Sequence, residues 1–465
     1  MKAIAALFVC FILVNAFFTV ITSPVLSSPD ILHVPSPAYP TIQAALTAAN
    51  PGDTIMVANG VYREHDLVID KDGLTLQGED KANTIIDGEN SNYNIIVVDA
   101  DNVIIRGFTI KNASQVYKAG VFLYYYSANA YLTNNIFSGC HFSIRAENCT
   151  NATVTHSTFL GDTGGAGIQA RYCHTGLIEN NMFNANHVGA FIIHSTNFMI
   201  RNNTFSSSIL TGITISYSEQ NWVVKNKFTS NNVSLAIRYN GNNVIVGNTI
   251  SNSVRGLQLG QNSPNNIIHH NNFVDNTKQV YFLDSSPPSN IWSTSGDLME
   301  GNYWSNYTGT DADKNGIGEM SHYIASGNQD LYPLIGPFTE FTVASQTGIA
   351  NIYTISNSTI TDFSYNQVAK QISFRVSDTS DSLGICRIVF PKGLLIPTEV
   401  YVNGVSQTWS SISNSTHVAL YFSYRHTSQP SNVIIVPEFS TALMVTFLLA
   451  LTLLVVVLKR KRRET

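Results

Sequence analysis

Charged residues are scarce in this chain of 465 residues. Lysine, arginine, aspartate and glutamate make up only 12% of it, about half of the roughly 25% that is usual in soluble proteins. The formal net charge is −5, so no excess of positive charge is present to attract nucleic acid, and we expect no nucleic-acid partner. The exposed surface must therefore consist largely of Asn, Ser, Thr and Tyr.

A helical return segment is also missing from the one part of the chain that repeats itself. Between residues 120 and 273 an apolar residue recurs every 22 to 24 positions, and six of the seven copies have Asn two positions earlier. A fixed period of this size is the signature of a solenoid, whose units stack because none can bury its apolar face alone. The recurring apolar residues are Phe137, Phe159, Phe183, Phe205, Phe228, Ile250 and Phe273.

The repeat unit predicts strands. It contains short alternating runs, such as residues 167–171 and 212–216, in which Ile, Val and Phe dominate rather than the Leu of leucine-rich repeats. Three short strands of about 3.3 Å per residue, joined by tight turns, account for one coil of a parallel β-helix. We therefore predict an all-β fold, a right-handed parallel β-helix over residues 29–337.

The recurring Asn has two possible physical roles. Asn tolerates the left-handed backbone conformation of a tight turn. When it is stacked at one site in successive coils, its side-chain amides can also hydrogen-bond to one another along the column. We predict such a ladder at Asn135, Ser157, Asn181, Asn203, Asn226, Asn248 and Asn271.

Only five cysteines occur. Cys149 and Cys173 both lie ten residues before their closing Phe, so they should stack in neighbouring coils about 4.8 Å apart. That separation permits a disulfide, and the alternative, which we favour, is two buried free thiols.

Both ends of the chain are apolar. Residues 1–28 have the pattern of a secretory signal peptide, with an uncleaved anchor as the alternative. Residues 439–458 carry no charge, are long enough to cross a membrane, and precede the basic block 459–463. A transmembrane helix there, within an anchor at 437–465, would place the tail in the cytoplasm and the body at the extracellular face.

The first segment after the leader predicts a cap on the solenoid. Thr41 can cap a short helix whose apolar face contains Ile42, Ala45, Leu46 and Ala49, and Pro51-Gly52 ends it. Such a helix would cover the open end of the core. We expect strands of the early coils at residues 54–58, 67–69, 74–77, 84–87, 95–99 and 103–110.

The period ends at Phe338. Residues 338–436 contain short alternating runs and a hairpin signal at Asn403-Gly404. We predict a β-sandwich domain there.

Several stretches resemble a known family. YPTIQAAL (39–46), NPGDTIMV (50–57) and TIIDG (84–88) are similar to the start of pectate-lyase-like β-helix proteins, including the NosD family. GNYWSNYTGTDADKNGIG (301–318) and LYPL (331–334) resemble the end of NosD-like β-helices. The resemblance covers residues 35–337 and implies the fold more strongly than the function, because the fold hosts lyases, hydrolases, adhesins and metallochaperones.

The last hundred residues are similar to proteins of archaeal cell surfaces. The resemblance lies in residues 384–397, 400–405 and 419–426, which look like a domain found before the membrane anchor. Pro437-Glu438-Phe439, the apolar span and the basic tail resemble an archaeal sorting signal, with a plain membrane span as the alternative.

The repeat register predicts which side chains of one strand per coil point outward. Ile144 and Ala146 and their equivalents should face the core. The intervening residues should face solvent, and Glu147 and Arg171 should be neighbours across two coils. The predicted outward residues are Arg145, Glu147, Gln169, Arg171, Phe191, Ile193, Thr214, Ser216, Ala236 and Arg238.

One column of the register is rich in aromatic residues. We call it the aromatic column, and it consists of Tyr126, Asn148, Tyr172, His194, Tyr217 and Tyr239. Exposed rings can stack on sugars, and Arg145, Arg171 and Arg238 beside them can bind hydroxyls or carboxylates, so surface polysaccharide is the first candidate ligand. The alternative is that stacked rings stabilise a turn.

An active site is hard to find in the sequence. Glycoside hydrolysis needs two carboxyls about 5 to 9.5 Å apart, and the predicted outer strand face carries only Glu147. Asp87, Asp99 and Asp101 lie in early coils, but Asp is also common in turns for backbone reasons. We therefore favour a binding or display protein over the alternative, a polysaccharide lyase or glycoside hydrolase.

Copper handling, which the NosD resemblance suggests, is not favoured by the residues. Copper sites use Met and Cys or clustered His. The chain has seven Met and twelve scattered His, of which only His269 and His270 are adjacent.

The best metal candidate is a calcium loop at residues 311–319. Asp311, Asp313 and Asn315 offer oxygens at positions one, three and five, Ile317 offers its carbonyl, and Glu319 an acid at position nine. Position twelve is His322 rather than the Glu of an EF-hand. We expect structural calcium, with a plain turn at the solenoid end as the alternative.

Overall fold

The structure, a computed structural model, describes residues 28–437. The predicted signal peptide, the predicted membrane span at residues 439–458 and the basic tail lie outside the described residues. Within residues 28–437 no helix has both the length and the apolar character needed to cross a membrane.

Residues 31–304 form the predicted right-handed parallel β-helix of about eleven coils. Each coil contributes one strand to each of three parallel sheets, of ten, eleven and eleven strands. We number the sheets in the order in which the chain passes through them from Leu67 onward. The predicted fold of this domain is confirmed.

The strands are short and regular. The first sheet contains Leu67–Ile69, Ile96–Val98, Ala119–Leu123, Phe142–Glu147, Ala166–Arg171, Val188–Ile193, Thr211–Ser216, Val233–Arg238, Arg255–Leu259 and Lys278–Phe282. The second contains Ile31–Val34, Thr54–Val57, Thr75–Gly78, Ile104–Arg106, Tyr131–Thr133, Thr150–Thr155, His174–Glu179, Thr196–Arg201, Trp222–Val224, Val244–Val246 and Ile267–His269. The third contains Gly60–Tyr62, Thr84–Asp87, Thr109–Lys111, Ile136–Ser138, Thr158–Leu160, Met182–Asn184, Thr204–Ser206, Lys227–Thr229, Thr249–Ser251, Asn272–Val274 and Tyr303–Trp304.

The apolar residues that mark the period form a column inside the solenoid. They are fully buried. The Phe159, Phe183 and Phe205 rings stack with centroids 4.5 Å apart and nearly parallel planes. Offset stacking adds to the burial of each ring, so this column stabilises the coil-on-coil arrangement.

The predicted asparagine ladder is present. Nδ2 of Asn203 donates to Oδ1 of Asn226 at 3.0 Å, and Nδ2 of Asn226 donates to Oδ1 of Asn248 at 3.1 Å. Each Oδ1 also accepts the backbone N–H of the preceding Asn, as between Asn203 and Asn226 at 3.0 Å. These buried amides thus satisfy backbone groups that the turn leaves unpaired.

The left-handed backbone, however, is not at the ladder Asn. It lies one residue earlier, at Asn180, Asn202 and Lys225, whose φ angles are 56°, 55° and 55°. The expectation that the ladder Asn itself adopts this conformation was wrong. Its conformation is set instead by the hydrogen bonds of its amide.

Two further polar ladders run along the other turns and were not predicted. One follows the third sheet, where Asn231 Oδ1 accepts from the N–H of Ser208 at 2.9 Å. The other lies in the turn before the second sheet, where Nδ2 of Asn221 donates to Asn243 at 3.1 Å. Every corner of the coil therefore has its own column of hydrogen-bonding side chains.

The N-terminal cap helix runs over Ile42–Ala48 as predicted. Oγ1 of Thr41 accepts the N–H of Ala44 at 3.1 Å, and Ile42, Ala45 and Leu46 are buried. The predicted single strand over residues 103–110 is instead two strands, because Gly107 turns the chain with a φ of 81°. Two strands, Ile31–Val34 and Gly60–Tyr62, were not predicted.

The solenoid ends in a polar cap that explains the GNYW and LYPL segments. Oδ2 of Asp330, in a hairpin of His322–Ala325 and Asn328–Asp330, accepts the N–H of Asn302 at 2.7 Å and Nε1 of Trp304 at 2.9 Å. Asn302 itself continues the asparagine ladder from Asn271 at 3.0 Å. A Cβ on Gly301 would lie 1.8 Å from the Asp330 carboxylate, so only glycine fits there.

The four cysteines within residues 28–437 are free, buried thiols. Cys149 and Cys173 occupy equivalent positions in neighbouring coils, and the sulfur of Cys173 lies 3.3 Å from the carbonyl oxygen of Arg171. Of the two states considered for this pair, the structure has the free thiols.

The second domain is β-rich, as expected. One five-stranded antiparallel sheet contains Phe338–Ser345, Gly348–Ser356, Leu383–Pro391, His417–Arg425 and Trp409–Ser413. The other contains Thr359–Asn366, Gln371–Ser377, Ser431–Pro437, Pro397–Val402 and Val405–Ser406. The two sheets share one apolar core around Ile372, Phe374, Phe390 and Phe422.

The second domain is tied to the end of the solenoid by paired hydrogen bonds. The side chain of Asn272 donates to the carbonyl of Phe338 at 2.8 Å and accepts its N–H at 2.7 Å. Nearby, Arg387 reaches Glu300 in the solenoid and donates to the carbonyl of Asn315 at 2.8 Å. The junction is therefore built from specific polar contacts.

Candidate functional site

The outer face of the first sheet is the surface on which the predicted ligand-binding residues lie. Ile144, Ala146 and their equivalents face the core as predicted and are buried. Alternate residues of the same strands point to the other side. The register pairs Glu147 with Arg171 across two coils, as predicted.

Several outward positions are nevertheless covered by their neighbours. Glu147 is only 4% exposed, and Thr214, Ser216 and Ala236 are also buried. The expectation that they face open solvent was wrong. Hydrogen bonds between side chains of this face reduce their exposure, as between Thr211 and Thr214 at 2.7 Å, and the alternation pattern of one strand does not contain such contacts.

Glu147 is held by Arg145 rather than by Arg171. Nε of Arg145 donates to Oε1 of Glu147 at 3.0 Å, and Arg145 Nη1 donates to the carbonyl of Tyr117 at 3.0 Å. Burial raises the pKa of Glu147. Hydrogen bonds from Arg145 and Tyr125 and the charge of Arg145 lower it by more, so the pKa lies below its usual value. The carboxylate is therefore ionised and neutralised in place.

The charge on this face is segregated. Among the ten strands of the first sheet, Glu147 is the only acidic residue. The six strands between residues 166 and 282 contain no acid but four cations, Arg171, Arg238, Arg255 and Lys278. This part of the sheet is thus positive in a chain whose net charge is −5.

Arg255 and Lys278 were missed by the sequence reasoning. They precede Gly256 and Gln279 at the start of strands that pair with Val233–Arg238 and with each other. The register was counted back from the closing apolar residue in only five coils. Alternation from the core-facing Leu257 would place Arg255 on the core side, so the only available signal was the charge of these two residues at the first position of a strand.

The N-terminal part of the outer face is apolar. Ala119, Phe122, Phe142 and Ala166 form a small buried cluster on the outside of the sheet. The guanidinium carbon of Arg145 lies 5.2 Å from the centroid of the Phe122 ring, a cation–π contact. The face therefore passes from an apolar part to a cationic part along the solenoid axis.

A pocket of about 300 Å³ opens where the two parts meet. Val188, Phe191 and Val233 form its apolar wall, and Arg238 and Arg255 supply guanidinium groups. Its volume is at the lower end of the range usual for small-molecule sites.

The aromatic column is present and its rings stack on one another. The centroids of Tyr172 and His194 are 4.9 Å apart, those of His194 and Tyr217 4.8 Å, and those of Tyr217 and Tyr239 4.4 Å. Every member has a positive φ, between 49° and 73°, so the column marks the turn between the first and second sheets. Tyr126 is 80% exposed and stands apart, because Asn148 interrupts the stack.

This geometry restricts what the column offers to a ligand. The ring faces of His194 and Tyr217 are covered by their neighbours on both sides. Their edges and the tyrosine hydroxyls remain available. Arg171 lies over the Tyr172 ring, with its guanidinium carbon 4.9 Å from the centroid, so the face of Tyr172 that does not stack on His194 is covered as well.

The acids considered for catalysis do not gather. Asp87 pairs with Lys111 at 3.2 Å in the third sheet, and Asp101 accepts the N–H of Ala128 at 2.8 Å in a turn. Asp99 follows a strand of the first sheet. Within residues 28–437, the only three acidic or metal-ligating groups that come within 4.8 Å of one another are Asp311, Asp313 and Glu319.

The predicted calcium loop brings these three carboxylates together. Asp311 accepts the N–H of Asn315 at 2.8 Å and of Gly316 at 3.1 Å. Burial raises the pKa of Asp311, as expected for a carboxylate without a cationic partner among the described residues.

Other predicted ligands of the loop are also close at hand. Asn315 Nδ2 donates to Asp313 Oδ2 at 2.7 Å. Ile317 directs its N–H to Asn315 Oδ1 at 2.7 Å. Glu319 accepts the N–H of Asp313 at 3.1 Å.

Two family models match the β-helix. Residues 163–309 match the family described as periplasmic copper-binding protein (NosD). Residues 75–208 match the right-handed β-helix region. Together the two matches cover most of the solenoid.

Curated relatives match over a short stretch. A protein of Pseudomonas aeruginosa named probable ABC transporter binding protein NosD is 37% identical over 84 residues, 17% of this chain and 18% of that protein. The protein of the same name from Stutzerimonas stutzeri matches equally. The matched stretch thus spans less than a fifth of these relatives.

Solved structures are similar to this chain at low sequence identity. The enzymatically active domain of bacteriophage CBA120 tailspike protein 2 is 11% identical, with a TM-score of 0.45 and coverage of 85% of this chain and 76% of that one. A PL6 family alginate lyase, AlyGC, is 18% identical, with a TM-score of 0.36 and coverage of 56% and 46%. The A-module of the Azotobacter vinelandii mannuronan C-5 epimerase AlgE6 is 15% identical, with a TM-score of 0.32 and coverage of 54% and 92%.

The described residues do not fit copper, the metal in the name of the matched family. Their one three-ligand cluster is built from carboxylates, whereas copper sites use thiolate, thioether or imidazole groups. His269 and His270 are adjacent, but Nε2 of His270 is bound to Glu300 at 2.8 Å. Hard oxygen donors are the ligands that suit calcium.

Proposed function

We propose that this NosD-like right-handed β-helix protein is displayed on the cell surface and binds polysaccharide along the outer face of its first sheet. The observation that carries the proposal is the composition of that face. It presents five cationic side chains, an apolar cluster and a flanking aromatic column, and its single carboxylate, Glu147, is neutralised by Arg145. Sugar polymers are long ligands with both apolar ring faces and polar rims, and a repeating face of ten strands matches that form.

The aromatic column and the arginines have different roles in this proposal. Tyr172, with Arg171 over its ring, and the edges and hydroxyls of Tyr217 and Tyr239 contact the sugars along the rim. Arg145, Arg171 and Arg238 hydrogen-bond hydroxyls or acidic groups of the ligand. Because successive coils are about 4.8 Å apart, Tyr217 and Tyr239, which stack in neighbouring coils, present equivalent groups to neighbouring sugars.

The rival function, a polysaccharide lyase or glycoside hydrolase, is less well supported. A general base works best when its pKa lies near the working pH. The pKa of Glu147 is lowered by Arg145 and Tyr125, and no second carboxyl lies in the strands of this face. Binding without turnover is therefore the proposal.

The proposal also includes a structural calcium ion and a membrane anchor. The loop at residues 311–319 would hold a structural calcium ion through Asp311, Asp313, Asn315, Glu319 and the Ile317 carbonyl. The segment at residues 437–465 would anchor the chain by a single membrane span, with the body outside the cell.

Retention on immobilised polysaccharides tests the proposed binding. The full chain should be retained on at least one of a panel of neutral and acidic polysaccharide columns. The double substitution of Tyr172 and Tyr217 by Ala should abolish that retention while circular dichroism shows the β-helix intact. Unchanged retention of the variant would remove the aromatic column from the site, and no retention on any column would reject the proposal.

Turnover separates binding from the rival function. Each retained polysaccharide should be recovered at its original chain length after long incubation with the protein, measured by size-exclusion chromatography. Shortened chains, or newly formed reducing or unsaturated ends, would show the rival to be right.

A further inference from the structure

The pocket between Arg238 and Arg255 has the features of an anion site. Its wall is apolar, formed by Val188, Phe191 and Val233. The described residues contain no carboxylate within ion-pair distance of either guanidinium. Two cations beside an apolar wall without a counter-charge are costly, because neighbouring like charges repel and the wall reduces their hydration.

Arg255 is fixed in place by neutral contacts. Its Nη1 donates to Oε1 of Gln258 at 3.0 Å, and its guanidinium carbon lies 4.3 Å from the centroid of the Tyr281 ring. Lys278 lies over the same ring, with Nζ 4.8 Å from the centroid. Tyr281 therefore holds two cations on the same part of the face.

Arg238 lies in the pocket with one hydrogen-bond donor unpaired. Its Nε is buried and has no hydrogen-bond partner. Its stem passes over Gly260, where a Cβ would lie 2.8 Å from Cγ of Arg238. Glycine thus leaves room for the side chain to lie in the pocket, with a buried donor available to a ligand.

We propose that this pocket binds the anionic substituent of an acidic polysaccharide, a carboxylate or a sulfate group. The inference rests on the proposed polysaccharide binding and adds the charge class of the ligand and its location on the face. Guanidinium groups form paired, charge-assisted hydrogen bonds with such anions. The cationic strands from Arg171 to Lys278 continue the interaction along the polymer, and the apolar part near Phe122 contacts its uncharged rings.

A neutral polysaccharide is a poor ligand for this pocket. Its hydroxyls accept hydrogen bonds but supply no charge, so the repulsion between Arg238 and Arg255 would persist. A site built around charged donors discriminates strongly against ligands that leave them unpaired. The face should therefore prefer acidic over neutral polymers of the same length.

The test measures dissociation constants of the full chain by calorimetry with three polymers of matched length. Polygalacturonate carries carboxylates, dextran sulfate carries sulfates, and dextran is neutral. We expect at least one acidic polymer to bind at least tenfold more tightly than dextran and to lose affinity steeply with added salt. The acidic polymer that binds identifies which of the two anions the site takes.

Variants locate the site. Arg238→Gln and Arg255→Gln should each weaken binding of the acidic polymer about tenfold and weaken binding of dextran much less, because dextran carries no charge for the guanidinium groups to pair with. Lys227→Gln is the matched control and should bind like the wild type, since Lys227 is an exposed cation on the third sheet and no carboxylate of the described residues lies within ion-pair distance of it. Gly260→Ala retains every charge but displaces Arg238, and it should weaken acidic binding as well.

The outcomes separate this inference from the proposed function. Equal affinity for dextran and the acidic polymers, or wild-type affinity in both arginine variants, would overturn the anion site while polysaccharide binding stands. An equal loss in Lys227→Gln would show a general charge effect and would also overturn it. Absence of binding to all three polymers and to every column of the panel would reject both.

Discussion

Nε and Nη2 of Arg387, in the second domain, both lie 2.8 Å from Oε1 of Glu300 at the end of the solenoid. Both side chains are almost completely buried, at 2% and 1% exposure. Oε2 of Glu300 accepts hydrogen bonds from the Tyr353 hydroxyl at 2.7 Å and lies 2.8 Å from Nε2 of His270. A charged, fully hydrogen-bonded carboxylate therefore joins the two domains.

Removal of one partner of this ion pair should destabilise the protein strongly. Arg387→Met leaves Glu300 buried without its cation, and breaking such a pair costs about 3 to 5 kcal/mol. Glu300→Gln together with Arg387→Met should cost less than Arg387→Met alone. The measurement is a double-mutant cycle by urea unfolding.

An exposed ion pair across the same junction supplies the control. Lys225 and Glu340 are 2.9 Å apart and partly exposed, so Lys225→Gln should cost less than about 1 kcal/mol. Similar losses of unfolding free energy in Lys225→Gln and Arg387→Met would show that burial does not increase the cost of breaking the ion pair.

Acid should lower the free energy of unfolding in two steps. Burial, with the charge of His270, lowers the pKa of His269 to about 4, so its contribution is complete above about pH 6.5 and is lost as pH falls to about 4. Hydrogen bonds and the charge of Arg387 overcome burial and lower the pKa of Glu300 to about 2, so its contribution is lost between about pH 4.5 and 2. Neutral His269 and ionised Glu300 each contribute about 3 kcal/mol to the free energy of unfolding.

Two variants assign the steps to their residues. His269→Gln should flatten the dependence of the unfolding free energy on pH between about 6.5 and 4. Glu300→Gln should flatten it below about 4.5. The interpretation does not survive if both variants retain the wild-type slope in both ranges.

The asparagine ladder should be sensitive to the loss of a single amide. Asn226→Ala removes the acceptor for the backbone N–H and Nδ2 of Asn203, each at 3.0 Å. Nδ2 of Asn203 still donates to the carbonyls of Ile178 and Arg201 at 2.8 and 2.9 Å, but its backbone N–H becomes a buried donor without a partner, which costs about 1 to 3 kcal/mol. Asn226→Ser should lose less, because Ser157 serves in the same column and accepts the N–H of Asn135 at 3.2 Å.

Urea unfolding of the two variants measures the difference. Lys227→Ala, at the neighbouring exposed position, is the control and should stay within about 0.5 kcal/mol of the wild type. Equal losses for Ala and Ser at position 226 would show that the side-chain acceptor is not what the ladder needs.

The solenoid could be predicted from the sequence because each coil repeats the previous one. The position of Phe205, the burial of Ile168 and the stacking of Asn203 on Asn226 all follow from one period. The cap helix followed from local signals around Thr41. These features depend on residues within one or two coils.

The features that could not be predicted depend on contacts that the repeat period does not show. Arg387 and Glu300 are 87 residues apart, so their pairing could not be seen in either segment. Glu147 was expected in solvent because the alternation of one strand does not show that Arg145 and Tyr125 cover it. Lys278 lies beyond Phe273, where a long connection to Trp304 breaks the register from which outward residues were counted.

Calcium should stabilise the chain if the loop at residues 311–319 binds it. An ion present at a hundred times its dissociation constant adds about 2.7 kcal/mol, so the melting temperature should rise with calcium and fall with a chelator. Asp313→Asn should reduce the response, and Asp362→Asn, an exposed acid in the second domain, should not. A melting temperature indifferent to calcium and chelator would exclude the site.

Tyr217 should contribute more to the free energy of unfolding than its exposure suggests, because it belongs to the aromatic column. Its ring lies between His194 and Tyr239, with centroids 4.8 and 4.4 Å away, and stacked pairs are worth about 0.5 to 1.5 kcal/mol each. Its φ of 51° is unfavourable for a residue with a Cβ.

Tyr217→Gly and Tyr217→Ala separate the two effects. Both lose the stacks and about 2 kcal/mol, but glycine also relieves the left-handed strain, so the Gly variant should be about 1 kcal/mol more stable than the Ala variant. In an α-helix or strand the order would be reversed, since glycine costs more there than alanine. Thermal unfolding of both variants gives the order, and an Ala variant equal to or more stable than the Gly variant would contradict the turn geometry on which the column rests.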